Sequence, residues 1–393
     1  MRVLAVSSYG ALGGGELSLA EFVVHRPAGV EVRALLVEDG PLREHLLRRD
    51  ISVWAARGYD GRPSPSDLAR FTRSLGVLLR RWTPDVVWAT GLKAAYMAAP
   101  ACRRARVPLV WHKVDFSLDA TIARPLAAAV SGVIGVSEAV LDALGPALRR
   151  RRLLAVVGPP VRLPAQLEVV PNELPTVGTM ATLIPIKGQR HIVEAAGLLR
   201  HEFPELRVLL AGAESADFPS FAGELRALAQ QVGMGERVEL AGYTTDVAGV
   251  LGRLTVFVNA TYRDERGFGW EGLSGAMLEA SWVGLPVVAT RGGGTPEGVL
   301  EGVTGTLAEP ADPAALAAAI APYLRDRELA RAAGRAGRRF AHERFAPDVA
   351  SAKLFGALAQ AARLAGSRRR SVSTTNATSR GLTSDSTESS TIA

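Results

Sequence analysis

"EGLSGAMLEASWVGLPVVATRGGG" (residues 271–294) sets Glu271 and Glu279 eight positions apart, ahead of a helix of small residues, an apolar strand and a glycine triplet. Gly272 and Gly275 place the first carboxylate in a loop and start a helix near Ser274, with Glu279 about one turn inside it. On one helix the two carboxylates would lie ~12 Å apart along the axis, beyond the roughly 5–9.5 Å of paired hydrolytic carboxyls. At that separation they span a ligand instead of sharing one bond. Backbone N–H groups at the helix start favour an anion between them.

Working outward, the strand "LPVVAT" (285–290) is one of a series of short apolar runs alternating with stretches of helical period, the pattern of parallel strands with crossover helices. In the second half the others are expected at 175–182, 206–212, 237–242, 254–260 and 304–309. The first half repeats the pattern at 2–8, 30–39, 51–56, 85–90, 108–114 and 132–137. Between the last two strands of its first four, Ser66 is a plausible N-cap for a helix whose stripe is Leu68, Phe71, Leu75, Leu78, Leu79 and Trp82. "GPPVRLPAQLEVVPNELP" (158–175) carries five prolines and reads as an interdomain linker. The expected organisation is α/β, two doubly wound Rossmann-like domains facing each other across a cleft, over 1–165 and 166–345. A helix over 346–365 is expected to pack back on the first domain, and 366–393, rich in Ser and Thr, to be disordered.

The 393 residues are 48% hydrophobic and 22% charged, the composition of a packed protein. No apolar run reaches the ~18 residues of a membrane span, and "MRVLAVSSYG" reads as an opening strand, so a cytoplasmic location is expected. Cys102 is the one cysteine, which excludes an intramolecular disulfide. Residues 1–170 hold 23 Lys and Arg against 15 Asp and Glu, the remainder 23 against 24. That basic first half suits peripheral contact with an anionic membrane or a phosphorylated acceptor, and equally an ordinary solvated surface. The glycines after the first strand lack G-x-G-x-x-G spacing, and no phosphate loop, nucleophile elbow, His pair of metal spacing or aromatic-interleaved basic stretch for nucleic acid occurs. A ligand polyhydroxylated at both ends and anionic in the middle remains, as a nucleotide sugar is.

The sequence resembles a retaining family 4 glycosyltransferase of the GT-B fold. The resemblance rests on "PTVGTMATLIPIKGQRHIVEAAGLL", "LRVLLAGAE", "RVELAGYTTDV" and the E-x7-E stretch with "GGGTPEGV" in the second half, and on "GGGE", "PDVVWATG", "VWHKVD" and "GVIGVSEAV" in the first. It implies a hexosyl transfer from a UDP- or GDP-linked sugar, a co-substrate and not a resident cofactor, to a hydroxyl acceptor, with no metal. Glu271, His112 and Lys187 would be catalytic, Glu271 at the donor-sugar hydroxyls and Lys187 at the diphosphate. Glu279, Gly272, Leu273, Ser274, Gly275, Thr182, Gly14 and Gly15 would bind the donor, Glu279 through the ribose. Gly13, Glu16 and Asp115 would lie on the acceptor side. His112, in an apolar strand, can equally be a core residue, and Gly13–Gly15 a plain strand-to-helix turn. The chain departs from the family at Thr182, where Arg is usual, and at Pro159-Pro160 in place of Asn-Gly; Arg190 or Arg291 are the candidate substitutes for the absent cation. Sugar-nucleotide epimerase, phosphorylase and non-catalytic binding protein are the alternative readings. The oligomeric state is not legible.

Overall fold

The computed structural model describes residues 1–56, 64–149, 153–169 and 172–381. Its strands are β1 (Arg2–Ser7), β2 (Glu31–Leu36), β3 (Val53–Ala55), β4 (Val86–Thr90), β5 (Leu109–Lys113), β6 (Gly132–Gly135) and β7 (Leu153–Val156), then β8 (Thr176–Met180), β9 (Arg207–Ala211), β10 (Val238–Gly242), β11 (Val256–Asn259), β12 (Val287–Thr290) and β13 (Gly305–Ala308). They form two wholly parallel sheets, ordered β3-β2-β1-β4-β5-β6-β7 and β10-β9-β8-β11-β12-β13. In each sheet the order reverses beside the first strand, and such a reversal opens a crevice at the strand carboxyl ends. The loops after β1, β4 and β5 therefore face those after β8, β11 and β12. This is the GT-B arrangement.

Helices cover both faces of each sheet, which explains why the strands read as apolar runs without alternation. The helix Pro65–Trp82 buries Phe71, Leu75, Leu79 and Trp82 against the first sheet. Its N-cap is Ser64, not the expected Ser66. Pro65 occupies the first helical position and Asp67 closes a reciprocal capping box with Ser64, which leaves Ser66 inside the first turn. β7 was absent from the sequence reading; it is a short, half-buried edge strand.

The chain crosses between domains twice, and the crossings touch: Val161 N–H donates to the Phe345 carbonyl at 2.9 Å. Val161, Leu163, Leu167 and Val169 already pack into the second domain, so the linker is part of its core. The helix Pro347–Gly381 returns to the first domain and buries Ala350, Leu354, Phe355, Leu358 and Ala361 among Val3, Trp88, Val110 and Ile134. It runs on past 365 to Gly381, through part of the stretch expected to be disordered, since no proline or glycine interrupts 367–380. Residues 382–393 of that expected tail lie outside the described residues. No helix among the described residues is long and apolar enough to cross a membrane.

Candidate active site

Glu271 sits in the loop between β11 and the helix Gly275–Val283, where the second domain meets the first. One carboxylate oxygen pairs with Lys187; the other accepts from Asn259 Nδ2 at 2.9 Å. Burial pushes the carboxyl pKa up, but Lys187 and hydrogen bonds from Lys187, Asn259 and Ser274 outweigh it, leaving the group below its ordinary value. The Glu271 carboxylate is thus ionised at neutral pH. Lys187 is presented by a tight turn after β8, Pro185–Lys187, closed by Gly188 at φ 72°. A Cβ on Gly188 would overlap the Ala260 carbonyl, so the turn that aims the lysine requires glycine.

The loop backbone carries the contact between domains. Glu271 forms an isolated antiparallel bridge with Asp115, and its carbonyl accepts from Gly294 N–H at 2.9 Å. At Gly272 a side chain would strike the Val114 carbonyl and Val136, and at Gly294 it would strike the Gly272 carbonyl. Much of the bare backbone that drew attention in the sequence therefore serves close packing of one domain on the other. Gly275 is different: it is exposed, has open space beside it, and begins a helix whose N-cap, Ser274, makes no side-chain capping bond. Those first-turn N–H groups remain the local donors for an anion. Leu273, expected to bind donor, packs its side chain onto the second-domain core.

Glu279 is 4% exposed, and its carboxylate accepts from Arg162 Nη2 at 2.8 Å. Burial raises its pKa more than Arg162 lowers it. Sequence reasoning missed Arg162 because nothing in "GPPVRLP" marks one arginine as a partner for a residue in a distant helix. The linker embraces that helix elsewhere too: Trp282 Nε1 donates to the Pro164 carbonyl at 3.1 Å, and Arg338 bridges the carbonyls of Trp282 and Ala165 at 3.0 and 2.8 Å.

On the first-domain side, Gly14 and Gly15 open the helix Gly14–Val24 with free space beside them. The half-buried Glu16 folds back toward Gly13, and burial raises its pKa. Tyr9, raised by burial and then by Glu38, Asp115 and Glu16, shares their neighbourhood, and Lys93 pairs with Glu38 while lying 5.6 Å from the Tyr9 ring centroid. Asp115 Oδ1 accepts from Ser117 N–H at 3.0 Å.

His112 is not there. Strand alternation turns it into the core, 3% exposed, with its ring 5.9 Å from Phe22 and 6.1 Å from Trp88. Burial takes its pKa down to about 4 against an opposing backbone hydrogen bond at Val157, so the ring is neutral at neutral pH and lies among core side chains. Its neighbour Lys113 is wholly buried and pairs with Asp119 at 2.6 Å, bracing the loop that carries Asp115. Thr182 is exposed, and its carbonyl accepts from Gln189 Nε2 at 2.9 Å. Arg190 pairs with Glu194 at 3.1 Å and Arg291 with Glu301 at 3.0 Å and Glu309 at 3.5 Å, so each candidate substitute is engaged elsewhere.

Residues 171–326 match the family model described as Glycosyl transferases group 1. The chain is 32% identical over 172 residues to the GDP-mannose-dependent alpha-(1-6)-phosphatidylinositol monomannoside mannosyltransferase of Mycolicibacterium smegmatis, covering 43% of this chain and 44% of that protein. It is 31% identical over 192 residues to the lipopolysaccharide core biosynthesis mannosyltransferase LpcC of Rhizobium leguminosarum bv. viciae, covering 45% of this chain and 52% of that protein. The chain thus spans about half the length of the curated relatives it matches. Among solved structures, Anabaena HepE in complex with UDP and glucose aligns with a TM-score of 0.76 at 22% identity, over 91% of this chain and 99% of that one. At that identity the likeness is one of fold. The chain has the GT-B fold, and residues 171–326 of its second domain match the Glycosyl transferases group 1 model.

Proposed function

We propose that the protein is a retaining, metal-independent glycosyltransferase of family 4 type, moving a hexose from a UDP- or GDP-linked donor to a hydroxyl acceptor on the cytoplasmic side. The observation that carries this reading is the Glu271–Lys187 ion pair, held at the carboxyl ends of the second sheet and bridged by backbone to Asp115 of the first domain. Lys187 would neutralise the diphosphate as it departs, together with the N–H groups at Gly275. Glu271, kept ionised, would accept hydrogen bonds from donor-sugar hydroxyls and stabilise positive charge on the ring. Glu279 would hold the ribose hydroxyls. With His112 in the core, the proton of the acceptor hydroxyl would pass to the departing phosphate oxygen, on the face where the new bond forms as the anomeric carbon–phosphate oxygen bond breaks. The relatives' names support both nucleotide classes: one mannosyltransferase is GDP-mannose dependent and HepE was solved with UDP.

The test is a panel of UDP- and GDP-sugars offered with hydroxyl acceptors, with and without EDTA, the anomeric configuration of product being read by NMR. Transfer with retention, unaffected by EDTA, is expected. Conversion of donor without acceptor would identify an epimerase instead, and a cleft stabilised by neither UDP nor GDP would identify a protein without this chemistry. The basic first half supports peripheral membrane contact, which sedimentation with anionic vesicles checks.

A further inference from the structure

We infer that Glu297 is a positioning residue for transfer: reaching from the second domain, its carboxylate caps the helix Glu138–Asp142 of the first and so sets the donor-side pair Glu271–Lys187 against the acceptor-side loop at Asp115. This rests on the transferase reading above. The first turn of that helix has its N–H groups divided between two domains. Ser137 Oγ accepts from Val140 N–H at 3.3 Å, within the first domain. The N–H groups of Glu138 and Ala139 donate instead to the two oxygens of Glu297, at 2.8 and 2.9 Å, across 159 and 158 residues of chain. One carboxylate straddling two donors at the positive end of a helix is a charge-assisted, geometrically selective contact.

The contact is mechanically joined to the site. Glu297 lies in the turn Thr295–Gly298 directly after the glycine triplet, and Gly294 N–H holds the Glu271 carbonyl. A Cβ on Gly294 would lie 2.5 Å from Ser137 Oγ, the residue that starts the capped helix. The segments 271–272 and 293–297 are therefore wedged between 114–116 and 136–139. Among the described residues, Glu297 is bonded to none of Lys187, Asn259, Ser274 and Arg162, so the donor groups of the second domain do not depend on it. Losing the cap would leave donor binding intact and let the acceptor side drift.

The experiment compares wild type, Glu297→Gln, Glu297→Asp and Glu138→Pro. Glutamine places an amide N–H₂ where one of the two helix donors points. Proline at the first helical position deletes the Glu138 donor from the other domain and is compatible with a helix start. In both, small-angle scattering should show a more open arrangement of the domains, while calorimetric affinity for UDP or GDP stays within about threefold of wild type. Transfer kcat should fall on the order of 10- to 100-fold, with donor hydrolysis rising relative to transfer. Glu297→Asp should recover part of the transfer rate. Unchanged scattering in both Glu297→Gln and Glu138→Pro overturns the cap, whether or not the chain transfers sugar. Altered scattering with an unchanged ratio of transfer to hydrolysis overturns the positioning role. A wild type that transfers nothing removes the transferase reading, and the scattering comparison still decides the cap.

Discussion

The guanidinium of Arg162 donates to the Glu279 carboxylate at 2.8 Å although 117 residues separate them. The acid is buried and the base only partly so, its side chain 31% exposed, so the pair costs desolvation mainly on the glutamate side. Arg162→Met should destabilise the protein by about 1–3 kcal/mol, less than for a wholly buried pair because water still reaches the arginine. Arg162→Met with Glu279→Gln should regain most of the loss. Thermal unfolding of both variants checks this; equal melting temperatures for Arg162→Met and wild type would remove the pair from the stability of the second domain.

Glu271→Gln keeps size but turns one of the two accepting oxygens into an N–H₂ donor facing Lys187 or Asn259, and leaves Lys187 without its counter-charge. Turnover should fall at least about tenfold, as for loss of one preorganised charge at the reacting centre, with donor affinity within about threefold. Because the folded pKa of Glu271 is depressed, its contribution to stability is complete above the unfolded value of 4.5 and is lost as pH falls through the folded one. The stability gap between wild type and Glu271→Gln should therefore narrow below pH 4.5. Steady-state kinetics and acid titration of unfolding measure the two effects separately.

His112 gives the opposite kind of signal. Its native pKa of about 4 lies below the unfolded 6.5, so between those values the unfolded chain takes up a proton that the native one refuses. Stability should fall by about 2 kcal/mol from pH 7 to pH 5, and His112→Phe should flatten that slope. The same variant should keep turnover within severalfold. A loss of orders of magnitude in a variant that still folds would return His112 to the reacting centre.

Gly188→Ala forces a side chain into the Ala260 carbonyl at a positive φ. A cost of about 2–3 kcal/mol is expected from the strained backbone, and donor affinity should drop because Lys187 shifts with the turn. Unfolding in urea together with UDP and GDP titration would detect both; wild-type behaviour in each would mean the turn does not aim the lysine.

Strand and helix positions were legible because their cause is local. "LPVVAT" and "LRVLLAG" are almost wholly apolar since both faces of a parallel sheet are covered, and "PSDLARFTRSLGVLLRRW" carries its own stripe. β7 escaped because an edge strand of four half-buried residues leaves little pattern. At the site, the loop placement of Glu271 was readable from the neighbouring glycines.

The sequence by itself determined two doubly wound halves and which short segments end at their crevice, since periodicity and turn residues act within about a dozen positions. Only the tertiary structure decided that Arg162 meets Glu279, that Glu297 caps a helix in the other domain, and that His112 turns inward beside Phe22 and Trp88. Those relations depend on two crossings of the chain between domains and on the face each strand presents, and a carboxylate carries no local mark of the partner that will compensate its burial.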